Sequence, residues 1–124
     1  MHAVVYEWDL QKGELRIKGD LKALIGFAAK NGVITHKSWT SRIHLDDVAR
    51  TKDQIELALA GREQMVNLTY RMRHADGRWL HIQDHALIVR DHNGAAIRVV
   101  GSGLDVSRSV HLTQELQTRE QILN

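Results

Sequence analysis

The apolar period of this chain changes at Gly61, and that change constrains the fold more than any other feature. Before it, Val48, Ile55, Leu57, Ala58 and Leu59 recur at helical spacing behind the acidic pair Asp46-Asp47, and Gly61 stands where a helix would stop. After it the period is two. Val66, Leu68, Tyr70 and Met72 share one parity, with Asn67, Thr69, Arg71 and Arg73 on the other, which is the pattern of a strand with one buried and one wet face. Ala75-Asp76-Gly77 turns the chain into a second run, Arg78 to Arg90, with Leu80, Ile82, Ala86 and Ile88 on one parity. Asp91-His92-Asn93-Gly94 turns it again into a third run, Ile97 to Leu104; Asn-Gly is favoured where both central residues need positive φ. Three strands joined by two tight turns make an antiparallel meander.

The residues before Asp46 supply a hairpin and short helices. Val4-Val5-Tyr6-Glu7-Trp8 is β-branched and aromatic, Lys12-Gly13 turns it, and Leu15-Arg16-Ile17 alternates. Asp20 stands at a helix N-cap position ahead of Leu21, Leu24 and Ile25, with Gly26 as the stop. Asn31-Gly32 breaks the chain, and a short helical turn is expected from Ser38 to Ile43. The expected fold is α+β: a five-stranded antiparallel sheet with short helices gathered on one face and a helix at the C-terminal end. At 124 residues, with no repeat and no proline, the chain suits one domain.

Composition excludes several classes of function. With 43% hydrophobic and 26% charged residues the chain is globular, and its apolar runs are too short to span a membrane. Met1-His2-Ala3-Val4-Val5-Tyr6 lacks the basic start and long apolar stretch of an export signal, so a cytoplasmic address is expected, with a membrane-anchored parent left open. The absence of cysteine removes disulfides, thiolate nucleophiles, cysteine-ligated zinc and photochemistry through a cysteinyl adduct. Seventeen Lys and Arg against fifteen Asp and Glu are interspersed and form no basic stripe, so no nucleic-acid partner is expected.

Eight histidines raise the question of a metal. His81 and His85 share a strand parity, but four residues of strand span about 13 Å, too far for one ion. His74 and His92 fall in the turns, His2 and His111 at the extremities, and His36 and His44 in the helical middle, so no metal site is expected. Nor is there a nucleophile elbow, a paired-His helix or a phosphate-binding glycine loop, so no catalytic residue is assigned; Gly101 and Gly103 suit close backbone approach within a strand. Trp79 lies on the parity opposite Leu80 and Ile82, which makes it a candidate dimer contact on the outer sheet face, or an isolated exposed tryptophan. The third strand halts at Gly103-Leu104-Asp105-Val106-Ser107. Ser107 or Ser109 can cap the helix that follows, in which Leu112, Leu116 and Leu123 recur at spacings of four and seven and Arg119 interrupts the seam. Two heptads fall short of a coiled-coil signal, so this helix either leads onward, with Leu112 and Leu116 as further dimer contacts, or folds back on its own sheet. The pattern still runs at Asn124, as expected of a piece of a longer protein.

In order and spacing these motifs resemble a PAS domain with its C-terminal PAC segment, a sensory module of bacterial signalling proteins. The resemblance runs through Tyr6-Glu7-Trp8-Asp9, Leu24-Ile25-Gly26, Ile43-His44-Leu45-Asp46-Asp47, Tyr70-Arg71-Met72-Arg73 with Asp76-Gly77 and Trp79, and Asp105-Val106-Ser107. Leu45 departs from it, since the family commonly has proline there. The resemblance implies a non-catalytic sensor over residues 1–106 and the start of a signalling helix over 107–124, with Asp105, Val106 and Ser107 transferring a signal from a small-molecule ligand. It also implies a homodimer and an effector in the same chain, a diguanylate cyclase or a histidine kinase. The cofactor stays unknown: haem-binding members place their ligand in the long helix, where this chain has no histidine, and light-sensing flavin members need the absent cysteine. A ligand-free dimerisation or spacer module is the alternative. An isomerase or dehydratase built as a small α+β cone is a third reading, and it requires a buried Asp–His or Asp–Tyr pair.

Overall fold

The computed structural model describes residues 2–123. Strands β1 (Ala3–Asp9) and β2 (Glu14–Lys18) form the expected hairpin, with Trp8 opposite Leu15 and Tyr6 opposite Ile17. Helix α1 (Leu21–Ile25) begins where the Asp20 carboxylate accepts from the Ala23 N–H and ends at Gly26, whose left-handed φ of 81° suits a residue without Cβ. After β3 (Val33–Thr35), helix α2 (His36–Thr40) is capped by the Thr35 hydroxyl, which accepts from the Ser38 N–H. Helix α3 (Leu45–Ala60) precedes the meander of β4 (Met65–Arg73), β5 (Trp79–Arg90) and β6 (Ala96–Asp105), and helix α4 (Ser107–Leu123) follows it.

The sheet has six strands where five were expected, in the order β3-β2-β1-β6-β5-β4. The extra strand, β3, adds three rungs to the β2 edge, with Leu15 opposite Ile34 at the centre. It forms because Asn31 at φ 55° and Gly32 at φ 73° reverse the chain beside Ile17, whose N–H donates to the Gly32 carbonyl. β1 and β6 meet in the middle, joining the N-terminal hairpin to the meander.

Between β2 and β4 the chain crosses from one sheet edge to the other, carrying α1, α2 and α3 over a single face. That face holds the core: Val4, Leu24, Ile25, Met72 and Ile82 are fully buried, each contributing about 1.5–3 kcal/mol relative to an exposed side chain. The opposite face leaves Val5, Met65 and Leu87 exposed.

Two local expectations are corrected, and a third, the place of Asp47 in the first turn of α3, holds and is extended. α2 spans His36–Thr40 and not residues 38–43. α3 is capped by His44, whose Nδ1 accepts from the Asp46 N–H, and Leu57, counted on its apolar face, points to solvent. Asp47, read as a helix-start charge, is buried and clamps Arg71 of β4, accepting from Arg71 N (2.9 Å), Nε (2.9 Å) and Nη2 (2.8 Å). Leu112 and Leu116 on α4 are exposed, so this helix does not bury a seam on its own sheet; the side chain of Leu123 lies outside the described residues. No helix among the described residues is long and apolar enough to cross a membrane.

Candidate functional site

A cavity of about 460 Å³ lies between the inner sheet face and the helices α2 and α3. That volume suits a small organic molecule. Leu68, Ile88 and Val99 rise from the sheet, Trp39 and Ile43 close one side, and Val48, Ile55 and Leu59 of α3 form the roof. The roof is pinned at both ends. The Asp47–Arg71 clamp holds its start to β4, and Arg90 of β5 holds its end by donating from Nη2 to the Ala58 carbonyl (2.8 Å) and from Nη1 to the Leu59 carbonyl (3.1 Å). Arg90 thus serves carbonyls that a helix C-terminus leaves without partners.

A polar cluster interrupts this apolar lining. The Tyr6 hydroxyl donates to Asp84 Oδ1 at 2.6 Å, the Tyr70 hydroxyl donates to Asp84 Oδ2 at 3.0 Å, and Trp39 Nε1 donates to the Tyr70 hydroxyl at 3.0 Å. The strand period explains the convergence: Tyr6, Tyr70 and Asp84 all occupy inward parities of β1, β4 and β5. Tyr6 reaches Asp84 over Gly101 of β6, which pairs with Tyr6 on one side and Ala86 on the other. A Cβ at Gly101 would stand 2.5 Å from the Tyr6 hydroxyl and 2.7 Å from the His85 carbonyl oxygen, so this crossing requires glycine.

Burial sets the electrostatics. Asp84 is 7% exposed, and burial pushes its carboxyl above the ordinary range, partly offset by the two phenol hydrogen bonds. Burial, together with the adjacent Asp84, raises both Tyr6 and Tyr70, so neither phenol ionises at neutral pH. Nearby, His36 stacks on Trp8 with ring centroids 3.8 Å apart and planes within 3°, and burial lowers the His36 pKa. Trp8 Nε1 is buried with no hydrogen-bond partner.

The residues assigned from sequence lie elsewhere, at the end of β6. Asp105 Oδ1 accepts from Ser107 N (2.9 Å) and Ser107 Oγ (2.5 Å), so Asp105 supplies the capping group expected of Ser107 or Ser109. Ser107 Oγ accepts from the His81 N–H, and Val106 N–H donates to the His81 carbonyl, each at 2.9 Å. The start of α4 is therefore fastened to β5. Trp79, two residues before His81, is 42% exposed and lies against His44, with ring centroids 4.6 Å apart. The structure brings Asp105, Val106 and Ser107 together and leaves Leu112 and Leu116 exposed further along α4.

Sequence reasoning missed the cluster in the cavity. One signal was present: Asp84 is an acid on the inward parity, between Ile82 and Ala86. No group of three or more His, Asp or Glu side chains able to hold a metal occurs among the described residues. The Asp–Tyr contact that the isomerase or dehydratase reading requires is present.

Comparison with known proteins gives a consistent picture of the fold. A family model described as the PAS fold matches residues 14–102. A sensory box histidine kinase/response regulator from Burkholderia thailandensis superposes with a TM-score of 0.80 at 24% identity, over 98% of this chain and 89% of that one. The N-terminal domain of a diguanylate cyclase with a PAS/PAC sensor from Marinobacter aquaeolei gives 0.79 at 23% identity, over 88% and 99%. The PAS-B domain of Drosophila melanogaster Cycle, solved with bound ethylene glycol, gives 0.65 at 16% identity, over 82% and 98%. No curated protein matches.

Proposed function

This chain belongs to the PAS fold family, and we propose that it is a non-catalytic sensor domain that binds a small organic molecule in its cavity and passes the change to an effector. The observation that carries this reading is the path of β6. Val99 lines the cavity, Gly101 passes beneath Tyr6, and the same strand ends at Asp105 and the start of α4. A ligand that changes the position of Tyr6 or Asp84 acts on the strand leading to Asp105, Val106 and Ser107. Transmission requires that the ligand favour one arrangement of this strand over another.

Residues 1–106 act as the sensor and 107–124 begin the connecting helix. Two copies associate through Trp79, Leu112 and Leu116, whose exposure supports that role. The effector is a diguanylate cyclase or a histidine kinase in the same cytoplasmic chain, the kinds of parent named for the two similar bacterial domains. Native mass spectrometry of protein purified without added ligand tests the reading. A bound organic mass lost on denaturation supports it. Unliganded protein that gains no thermal stability from any member of a small-molecule library contradicts it and leaves a ligand-free spacer.

One observation favours a second reading, an isomerase or dehydratase: Asp84 is buried against two phenols. Against it, Asp84 and its partners are engaged with one another, and proton transfer along a substrate needs a separate acid and base. Deuterium uptake at the α-carbon of 2-indanone, faster than in buffer alone, would favour the enzyme.

A further inference from the structure

Two acids are buried among the described residues, and they are met differently. Asp47 is answered by the Arg71 guanidinium through two hydrogen bonds. Asp84 receives hydrogen bonds from two phenols, Tyr6 and Tyr70, and neither carries positive charge. The ion pairs among the described residues engage Glu7, Asp46, Asp47, Glu56 and Asp76, and none reaches Asp84. A buried carboxylate ordinarily has a cation beside it, because burial without one is costly. Of the roughly four acceptor sites a carboxylate offers, the phenols fill two. The other ionisable groups of the cavity lining do not make up the difference. His36 is held toward its neutral form by burial, and Lys37 and Lys52 stand at the exposed rim between α2 and α3, where Lys52 pairs with Glu56 at 4.0 Å.

Asp84 lies on the inward parity of β5 and lines the cavity. Tyr6, Tyr70 and Trp39, the rings of its hydrogen-bonded cluster, line it too, and aromatic faces attract cations. Apolar surface begins beside the carboxylate: Leu68 stands opposite it on β4, and Ala86 and Ile88 follow at the next inward positions of β5, about 7 and 13 Å along the strand. We propose that the cavity takes a compact primary amine, its ammonium group seated against Asp84 and its apolar body against Leu68, Ile88 and the α3 roof. The inference rests on the reading of the cavity as a ligand site and adds the chemical class of the ligand. A carboxylate-bearing molecule is rejected, since it would set like charge against Asp84. A neutral alcohol of the same shape makes a hydrogen bond but leaves the buried charge without a counter-ion.

Three probes of one shape test this: benzylamine, which is a cation at neutral pH, benzyl alcohol, and ethylbenzene. Their affinities and their seat are read from the amide resonances of the cavity strands. Benzylamine is expected to bind about tenfold more tightly than benzyl alcohol, the factor that a hydrogen bond to a charged group supplies. With benzylamine bound, the Asp84 carboxyl is expected to titrate at lower pH than in the free protein, read by carbon-13 NMR, because a neighbouring cation favours its ionised form. Both measurements use the wild-type protein, so neither depends on a variant folding. Asp84→Asn is expected to remove the preference for the amine and to leave ethylbenzene unchanged. If benzyl alcohol or ethylbenzene enters the cavity as tightly as benzylamine, or if the Asp84 titration does not move, the amine is wrong while the cavity still stands as a ligand site. If none of the three perturbs the cavity strands, the amine is likewise overturned, and the ligand-site reading is decided by the thermal screen of the wider library.

Discussion

The Tyr6 hydroxyl meets Asp84 Oδ1 at 2.6 Å by lying across β6 at Gly101, so three strands are tied together at one point inside the cavity. The absence of a single Cβ permits this contact. The strand crossed is also the one that runs out to α4, so the contact and the junction lie on one strand.

Gly101→Ala tests that dependence. The added methyl group meets the Tyr6 ring and a backbone oxygen of β5, and the backbone atom cannot rotate away. A loss of about 1–3 kcal/mol in urea unfolding is expected, the usual cost of overpacking. A substitution that leaves stability unchanged would show that Tyr6 crosses elsewhere.

Removing the two phenol hydroxyls should have unequal effects. Tyr70→Phe deprives Asp84 of one donor and also leaves Trp39 Nε1, which is buried, without its acceptor. Tyr6→Phe removes only the bond to Asp84. The first is expected to cost about 1–3 kcal/mol and the second less. In both variants the Asp84 carboxyl titrates at higher pH than in the wild type, because burial then acts with less opposition. Carbon-13 NMR of the Asp84 carboxyl across a pH series reads this directly.

Asp47 and Asp84 pull the acid stability in opposite directions. Hydrogen bonds from Arg71 hold Asp47 far below its unfolded value of about 3.9, so its contribution is present above that value and is lost as pH falls through the depressed folded pKa. Asp84 is raised, so its term favours the fold below about pH 4 and is lost as pH climbs toward its folded value. Asp47→Asn is therefore expected to cost about 2 kcal/mol at pH 7 and to approach the wild type near pH 2. A deficit that stays constant over that range would contradict the ion pair.

The meander was legible because burial on one face imposes a period of two, and glycine marks both turns: Gly77 and Gly94 take positive φ, although Asn93, expected to share it with Gly94, does not. Asp20 and Gly26 bound α1 as local capping chemistry requires. β3 was hidden because three residues cannot show a period; it exists through pairing with β2. The role of Asp47 was hidden for a similar reason, since Arg71 lies 24 residues away and a helix-start acid looks the same with or without it. Within the cavity, the inward parity of Asp84 could have marked it, but the crossing over Gly101 depends on strands that only the fold places side by side.

Asp105→Ala is expected to free the Ser107 N–H and hydroxyl and to fray the first turn of α4, without lowering the unfolding midpoint of the sheet. Hydrogen exchange would show faster exchange at Ser107 and its neighbours, with the β5 and β6 amides unchanged. In a full-length parent, the same variant should uncouple effector output from the stimulus.

The coupling of cavity to junction is tested most directly by amide NMR of the wild-type domain titrated with a library molecule that raises its thermal stability, with the Val106 and Ser107 resonances followed beside those of the cavity strands. Val106 and Ser107 are expected to shift along the same binding curve as Tyr6 and Asp84, and Gly101→Ala is expected to break this correspondence. Saturation at Tyr6 and Asp84 with no change at Val106 or Ser107 would contradict it.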